Sequence, residues 1–300
     1  MKLLVSTSNS VLAFDTSTAA AFAVDRSRGL YYGLARTPCG LIAAARRRMM
    51  SSSMPMVEER GCLIVFPFGT PSYVIESPIA LRDLHGIAYC SGSLLLTSTL
   101  DEKIVVLKDG SWDSCHPIGQ PVEEAIDKSH INTIVTTSDG LFVMLHNSGD
   151  SEVLRFDEVG GRLLDRFQIG KLAHNIWFDE GKMRVCSSGE GRILGVDDFV
   201  LETGGFPRGY ATDGRNRVIG VSEHVERAAR DNSIVTLLLM DADYRIIERF
   251  IFPDEGMVLD LLWIDDKEFL DLEHNHRDSQ SDVAVECLKS SATASTPARA

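Results

Sequence analysis

Positive charge is scarce in this sequence: 30 Lys and Arg stand against 43 Asp and Glu, a formal net charge of −13 over 300 residues. Duplex nucleic acid and anionic membrane surfaces attract the opposite sign, so neither is an expected partner. Long apolar runs are missing too. No stretch approaches the roughly 18 residues that span a bilayer, and the opening MKLLVSTSNSVLAFD meets Asp15 before a signal-peptide core can form. Cysteine is sparse and dispersed. Cys39, Cys62, Cys90, Cys115, Cys186 and Cys287 form no CxxC pair, which argues against a zinc knuckle or a disulfide framework. Free thiols without an export signal predict a cytoplasmic protein. No P-loop, no GxGxxG after a strand and no Ser-His-Asp arrangement is visible, which speaks against nucleotide-dependent chemistry. Helical patterning is nearly absent as well. Only the Ala/Arg stretch near 42–50 and PVEEAIDK at 121–128 suggest short helices.

What is present is a long series of strand-length apolar runs, among them SVLAFD, CLIVFPF, SLLLTST, LFVML and MRVCSS, separated by Gly, Asp, Asn and Ser. The pattern is all-β, with strands too short and too evenly spaced for βαβ units. The runs repeat. His174-Asn-Ile-Trp177 aligns with Asp260-Leu-Leu-Trp263, and His85-Gly86-Ile-Ala88 with Tyr32-Gly33-Leu-Ala35. His130 and Arg208 open similar segments. Tyr32, His85, His130, His174, Arg208 and Asp260 are spaced by 53, 45, 44, 34 and 52 residues. Four-stranded units at that period make a β-propeller. The expectation is a single six-bladed propeller of antiparallel blades over 1–276, with a disordered tail at 277–300. Its sixth inner strand falls at 257–264, so the N-terminal strands complete the last blade and leave no open edge. Either 2–7 or 268–273 supplies that blade's second strand.

The fifth repeat carries a resemblance. Phe206-Pro207-Arg208-Gly209, Val218–Ser222, an Arg-bearing loop, Asp241, Glu248-Arg249-Phe250 and Gly256–Asp260 follow in an order that resembles a poorly characterised bacterial family of six-bladed propellers. That family is related to the NHL-repeat and gluconolactonase-like superfamily. The resemblance covers about 84–265. It implies the fold and carries over no reaction.

In a propeller the innermost strands line an axial channel, so the six opening residues should form a ring at one mouth. His85, His130 and His174 with Asp260 are candidate ligands for a divalent metal ion, zinc, iron or similar, because neutral imidazoles with one carboxylate suit such ions. Strand-end residues return to the same rim. Glu190 and Glu223 are the candidate general bases there, and His146 and His224 second-ring groups. Two loops, 45–60 and 223–232, should overhang the mouth. Arg208, with Tyr32, Arg227 and Arg230, points to a small anionic ligand, since guanidinium forks match carboxylates and phosphates. For 46–60 a solvated loop is the plainer expectation. His116, His274 and His276 fall outside the repeat frame. Two functions fit: a metal-assisted hydrolase or lyase acting on a small anionic metabolite, with Arg208 as clamp, or a non-catalytic propeller that binds a ligand or partner.

Overall fold

Six antiparallel sheets stand around one axis in the computed structural model, which describes residues 1–119, 127–278 and 285–291. The chain begins with β1 (Lys2–Thr7), β2 (Ser10–Asp15) and β3 (Ala20–Arg26). Five four-stranded blades follow, each running from the axis outwards. The first holds β4 (Tyr31–Thr37), β5 (Gly40–Ala45), β6 (Cys62–Pro67) and β7 (Tyr73–Glu76). The second holds β8 (Leu84–Cys90), β9 (Ser93–Ser98), β10 (Lys103–Lys108) and β11 (Ser111–Cys115). The third holds β12 (Ile131–Thr137), β13 (Gly140–Leu145), β14 (Asp150–Phe156) and β15 (Leu163–Lys171). The fourth holds β16 (Ala173–Asp179), β17 (Lys182–Ser187), β18 (Arg192–Gly195) and β19 (Val200–Glu202). The fifth holds β20 (Phe206–Thr212), β21 (Arg217–Ser222), β22 (Val235–Met240) and β23 (Ile246–Phe252).

The sixth blade joins the two ends of the chain. β24 (Val258–Ile264) pairs antiparallel with β1, Leu262 opposite Leu4, giving the order β24-β1-β2-β3. Residues 2–7 are therefore the second strand of that blade. Residues 268–273 lie instead in a helix, α1 (Asp266–Asp278), whose Phe269 and Leu272 are buried between the sixth and first blades. Each inner strand contacts the next, and β24 contacts β4, which closes the ring.

Blades cover each other's faces, so a middle strand is buried on both sides and reads as a continuous apolar run. SVLAFD and GLIAAA are buried along their whole length. This corrects the helix expected near 42–50: three alanines that favour helix in isolation sit at a close inter-blade contact, where packing overrides propensity. The helix expected at 121–128 lies, but for its last two residues, outside the described residues. Leu288–Ser291 also depart from expectation. They form β25, a fifth strand on β23 with Lys289 opposite Phe250, which covers an edge that would otherwise be open.

One irregularity recurs in every blade. Register slips between Tyr31 and Leu34, Leu84 and Ile87, Ile131 and Thr133, His174 and Ile176, Arg208 and Tyr210, and Val258 and Asp260. These bulges release side chains from the pleat at the same end of all six inner strands.

Candidate functional site

The released side chains meet on the axis. Tyr32 and His85 have ring centroids 4.0 Å apart, His85 and His130 5.0 Å, His130 and His146 4.6 Å, and His146 and His174 5.1 Å. The Arg208 guanidinium donates to Nε2 of His174 at 2.6 Å and lies 5.8 Å from the Tyr32 ring. Six side chains thus form a closed circuit. The convergence inferred from the repeat is present, with two changes of membership. His146, at the end of β13, is in the circuit itself. Asp260 is not: its carboxylate accepts from Leu34 N–H, Leu261 N–H and the Asn175 amide, one level further along the strands. The level of Tyr32, His174 and Arg208 is filled in the sixth blade by Leu259, which packs against Tyr32 and Phe206. The alignment of Asp260 with His174 is therefore one residue out, and Asn175 is its true counterpart.

Hydrogen bonds settle which imidazole nitrogen faces inward. Nδ1–H of His85 donates to the Asp83 carbonyl at 2.8 Å and to Thr99 Oγ1 at 2.9 Å. His130 directs Nδ1 at the Asp127 carboxylate, 2.9 and 3.0 Å away. His174 Nδ1–H donates to Ser188 Oγ at 3.0 Å, because the Ser188 hydroxyl hydrogen is spent on the Pro207 carbonyl. All three turn Nε2 towards their neighbours in the ring. Burial keeps His85 and His174 well below the ordinary imidazole range, reinforced for His174 by Arg208. His146 is pushed to about 3 by burial, then by His130 and Arg208. His85, His146 and His174 are thus held as neutral imidazoles in a ring that also contains the Arg208 cation.

Beside it lies a group that escaped the sequence. Arg46, fully buried, donates to both oxygens of Glu59 at 2.8 and 2.7 Å and pairs with Asp83. Burial alone would raise the Asp83 carboxyl. Arg46, helped by His85 and His130, brings it down to about 2. One arginine against two carboxylates leaves an excess negative charge, and ligand atoms of Asp83, His85 and His130 lie within 4.8 Å of one another. Of the expected ligands His85, His130, His174 and Asp260, the first two belong to this group. Asp83 Oδ1 is buried against Arg46, and both histidines have Nδ1 anchored by oxygen, so two imidazoles and a carboxylate together fit a borderline divalent cation such as zinc or iron. Asp83 stands two residues before His85 but just ahead of β8, with a left-handed backbone at φ +52, so strand alternation does not reveal the pair.

The remaining candidates fall outside the circuit. Glu190 is exposed and accepts the Ser187 hydroxyl; Glu223 is exposed and accepts Ile234 N–H. Their side chains answer local turn geometry, and neither is brought to the ring. His224 is exposed, its ring 6.0 Å from Phe206, an aromatic residue the sequence did not flag. Arg230 lies 5.4 Å over the same ring, and Arg227 is exposed but near enough to act on Asp83. The loop at 46–60 is no free solvated segment. Arg46 pins its start to Glu59, and the Asp231 carboxylate accepts Met50 N–H at 3.1 Å and Ser51 N–H at 2.8 Å, tying it to the second loop.

The ring makes stability depend on pH in the metal-free protein. Imidazoles held below their unfolded value of about 6.5 bind protons only after unfolding, so their stabilisation is complete above that pH and is lost as pH falls. His85, His146 and His174 act in this sense. Asp260, raised by burial to about 7, acts oppositely, holding a proton in the folded state alone. The net uptake of two protons predicts a loss of about 3 kcal/mol per pH unit between about pH 6 and 4. Denaturant titrations at stepped pH in EDTA measure it; a flat profile there would contradict the buried neutral ring.

No family model matches the chain, and no curated protein matches it. Solved structures do. A chain of the nidogen/laminin complex superposes with a TM-score of 0.62 at 16% identity, over 87% of this chain and 97% of that one. A protein of unknown function from Bacteroides caccae gives 0.56 at 12% identity, over 87% and 97%. A Bacteroides fragilis propeller described as a candidate 6-phosphogluconolactonase gives 0.55 at 12% identity, over 88% and 98%. At these identities the likeness is one of fold. Among the described residues no helix is long and apolar enough to cross a membrane.

Proposed function

We propose that this propeller is a metal-assisted enzyme of hydrolase or lyase type, acting on a small anionic molecule at the axial ring. One observation carries the proposal: imidazoles with anchored Nδ1 atoms stand beside a net negative Arg46–Glu59–Asp83 group and a buried arginine without a counter-ion. Asp83, His85 and His130 would hold a divalent cation, zinc or iron by donor type. When bound, such an ion supplies an activated water or a polarised carbonyl. The chain's own groups do the rest. Asp127 and the Asp83 carbonyl orient the two imidazoles, Arg208 receives the anionic group, and the two tied loops shield the ring. The Bacteroides fragilis neighbour makes lactone-type chemistry a reasonable first assay, by analogy of fold only. The six unpaired thiols support a reducing compartment, the cytoplasm.

Elemental analysis tests the metal directly. After incubation with Zn(II) or Fe(II) and gel filtration, the wild-type chain should retain about one ion. His85→Ala and His130→Ala should retain less than a tenth of that, while His224→Ala retains it all. Equal retention in all four proteins, or none in any, removes the metal from the proposal. The second reading is a non-catalytic binding propeller. It is favoured by His174, whose Nε2 is already taken by Arg208, and predicts stabilisation by anions with no metal retained.

A further inference from the structure

Beneath the ring the axis is open. At the level below Tyr32, His85 and Arg208 the chain carries Gly33, Gly86 and Gly209, so three of the six blades put no side chain there. A β-carbon at Gly33 or Gly86 would come within 2.6 or 2.7 Å of the next strand's backbone, and Gly209 has φ +78. The result is a cavity of about 280 Å³, roofed by Tyr32, His85, His174 and Arg208. Its walls run down the inner strands to Ala88, Thr136, Trp177 and Tyr210; His130, His146, Arg227 and Arg230 take no part.

Two buried ionisable groups line this cavity and neither has a counter-ion among the described residues. Arg208 is 4% exposed, and apart from the Tyr32 phenol beside it, its Nε and second terminal nitrogen find no hydrogen-bond partner. Its acceptor is the neutral His174, and no carboxylate pairs with it among the described residues. A buried, unpaired guanidinium is costly and calls for an anion. Asp260 is the mirror case. Its Oδ1 accepts from Asn175 at 3.1 Å and Leu261 at 2.9 Å, its Oδ2 from Leu34 at 3.0 Å. A carboxylate has about four acceptor sites, so one remains, on Oδ2. Asn175 is itself held by Gly209 N–H at 2.8 Å, which fixes the carboxylate's orientation. No cation reaches it among the described residues.

We propose that this chamber binds a small zwitterion, an amino-carboxylate whose carboxylate sits on Arg208 and whose ammonium sits on Oδ2 of Asp260, entering from the face opposite the two long loops. A zwitterion compensates both buried charges at once, where a simple anion leaves Asp260 unpaired and a simple amine leaves Arg208 so. Burial raises Asp260 to about 7, so an ammonium beside it draws the group back to the ionised form. The other ionisable groups of the cavity wall are Tyr32, His85, His174, Arg208 and Tyr210, and Cys186 of β17 lies near enough to interact with Asp260. The inference rests on the reading of Arg208 as the anion receiver and adds the second contact.

Calorimetric titration with γ-aminobutyrate and β-alanine against butyrate and propionate at pH 7.5 tests it. In the wild-type chain the amino-carboxylates should bind at least tenfold tighter than the simple carboxylates. Asp260→Asn should remove that advantage and leave butyrate affinity unchanged. Because an asparagine amide would face Leu34 N–H and could unsettle the fold, wild-type titration at pH 5.5 gives a second measure. There the γ-aminobutyrate advantage should shrink about tenfold as Asp260 becomes protonated, with butyrate unaffected. If butyrate binds as tightly as γ-aminobutyrate, the zwitterion is refuted while the anion site stands. If no carboxylate binds, or Arg208→Met binds them equally well, the anion site itself is refuted.

Discussion

Arg46→Met should destabilise the folded chain by about 3–5 kcal/mol, the usual cost of breaking a buried ion pair by removing one partner. Arg46, Glu59 and Asp83 are fully buried together, and Glu59 Oε1 also accepts Asp83 N–H at 3.0 Å. Without the guanidinium, two carboxylates face each other with no cation. Burial already holds Glu59 above the ordinary carboxylate range with Arg46 present. The variant should therefore lose most at neutral pH and recover partly in acid, where both carboxyls take up protons. Adding Glu59→Gln to Arg46→Met should restore part of the loss at pH 7, since it removes one of the two stranded charges. Urea denaturation of the four proteins of this cycle measures it. A loss under about 1 kcal/mol for Arg46→Met would mean that water or local rearrangement screens the group.

The number of blades was legible because a propeller repeats one spatial unit, and the repeat leaves apolar strands at regular intervals even where residue identities drift. The ring was legible for the same reason: Tyr32, His85, His174 and Arg208 occupy equivalent places, each just before or within a bulge. Legibility ended where side chains answer to neighbours distant in sequence. Asp260 was placed one residue out because matching Trp177 to Trp263 ignored the bulge, which adds a residue without changing the strand's appearance. Glu59 was invisible because its partner Arg46 is 13 residues away across a loop that shows no pattern. Glu190 and Glu223 were overvalued for a related reason. A polar residue at the end of a second strand serves its own turn as readily as the axis, and the sequence does not distinguish the two.

Arg208→Met should stabilise the ligand-free protein, by about 1–4 kcal/mol, the range found when buried charges give way to apolar groups of similar volume. The expectation is opposite in sign to that for Arg46, although both arginines are buried and both flank the Tyr32 ring, at 5.5 and 5.8 Å. Their partners make the difference. Arg46 has two carboxylates; Arg208 has only a neutral imidazole and the Tyr32 phenol, and no counter-ion. A buried cation held at a net cost, in the wall of a cavity, is a group kept for what it binds. The same substitution should therefore abolish the rise in melting temperature that butyrate or phosphate gives the wild-type chain, since stabilisation by a ligand requires binding to the folded state. A variant both more stable and unresponsive to anions would assign Arg208 a binding role. One that is less stable, by denaturant or heat, would show that Arg208 is structurally compensated by His174 and that the ring has no vacancy for an anion.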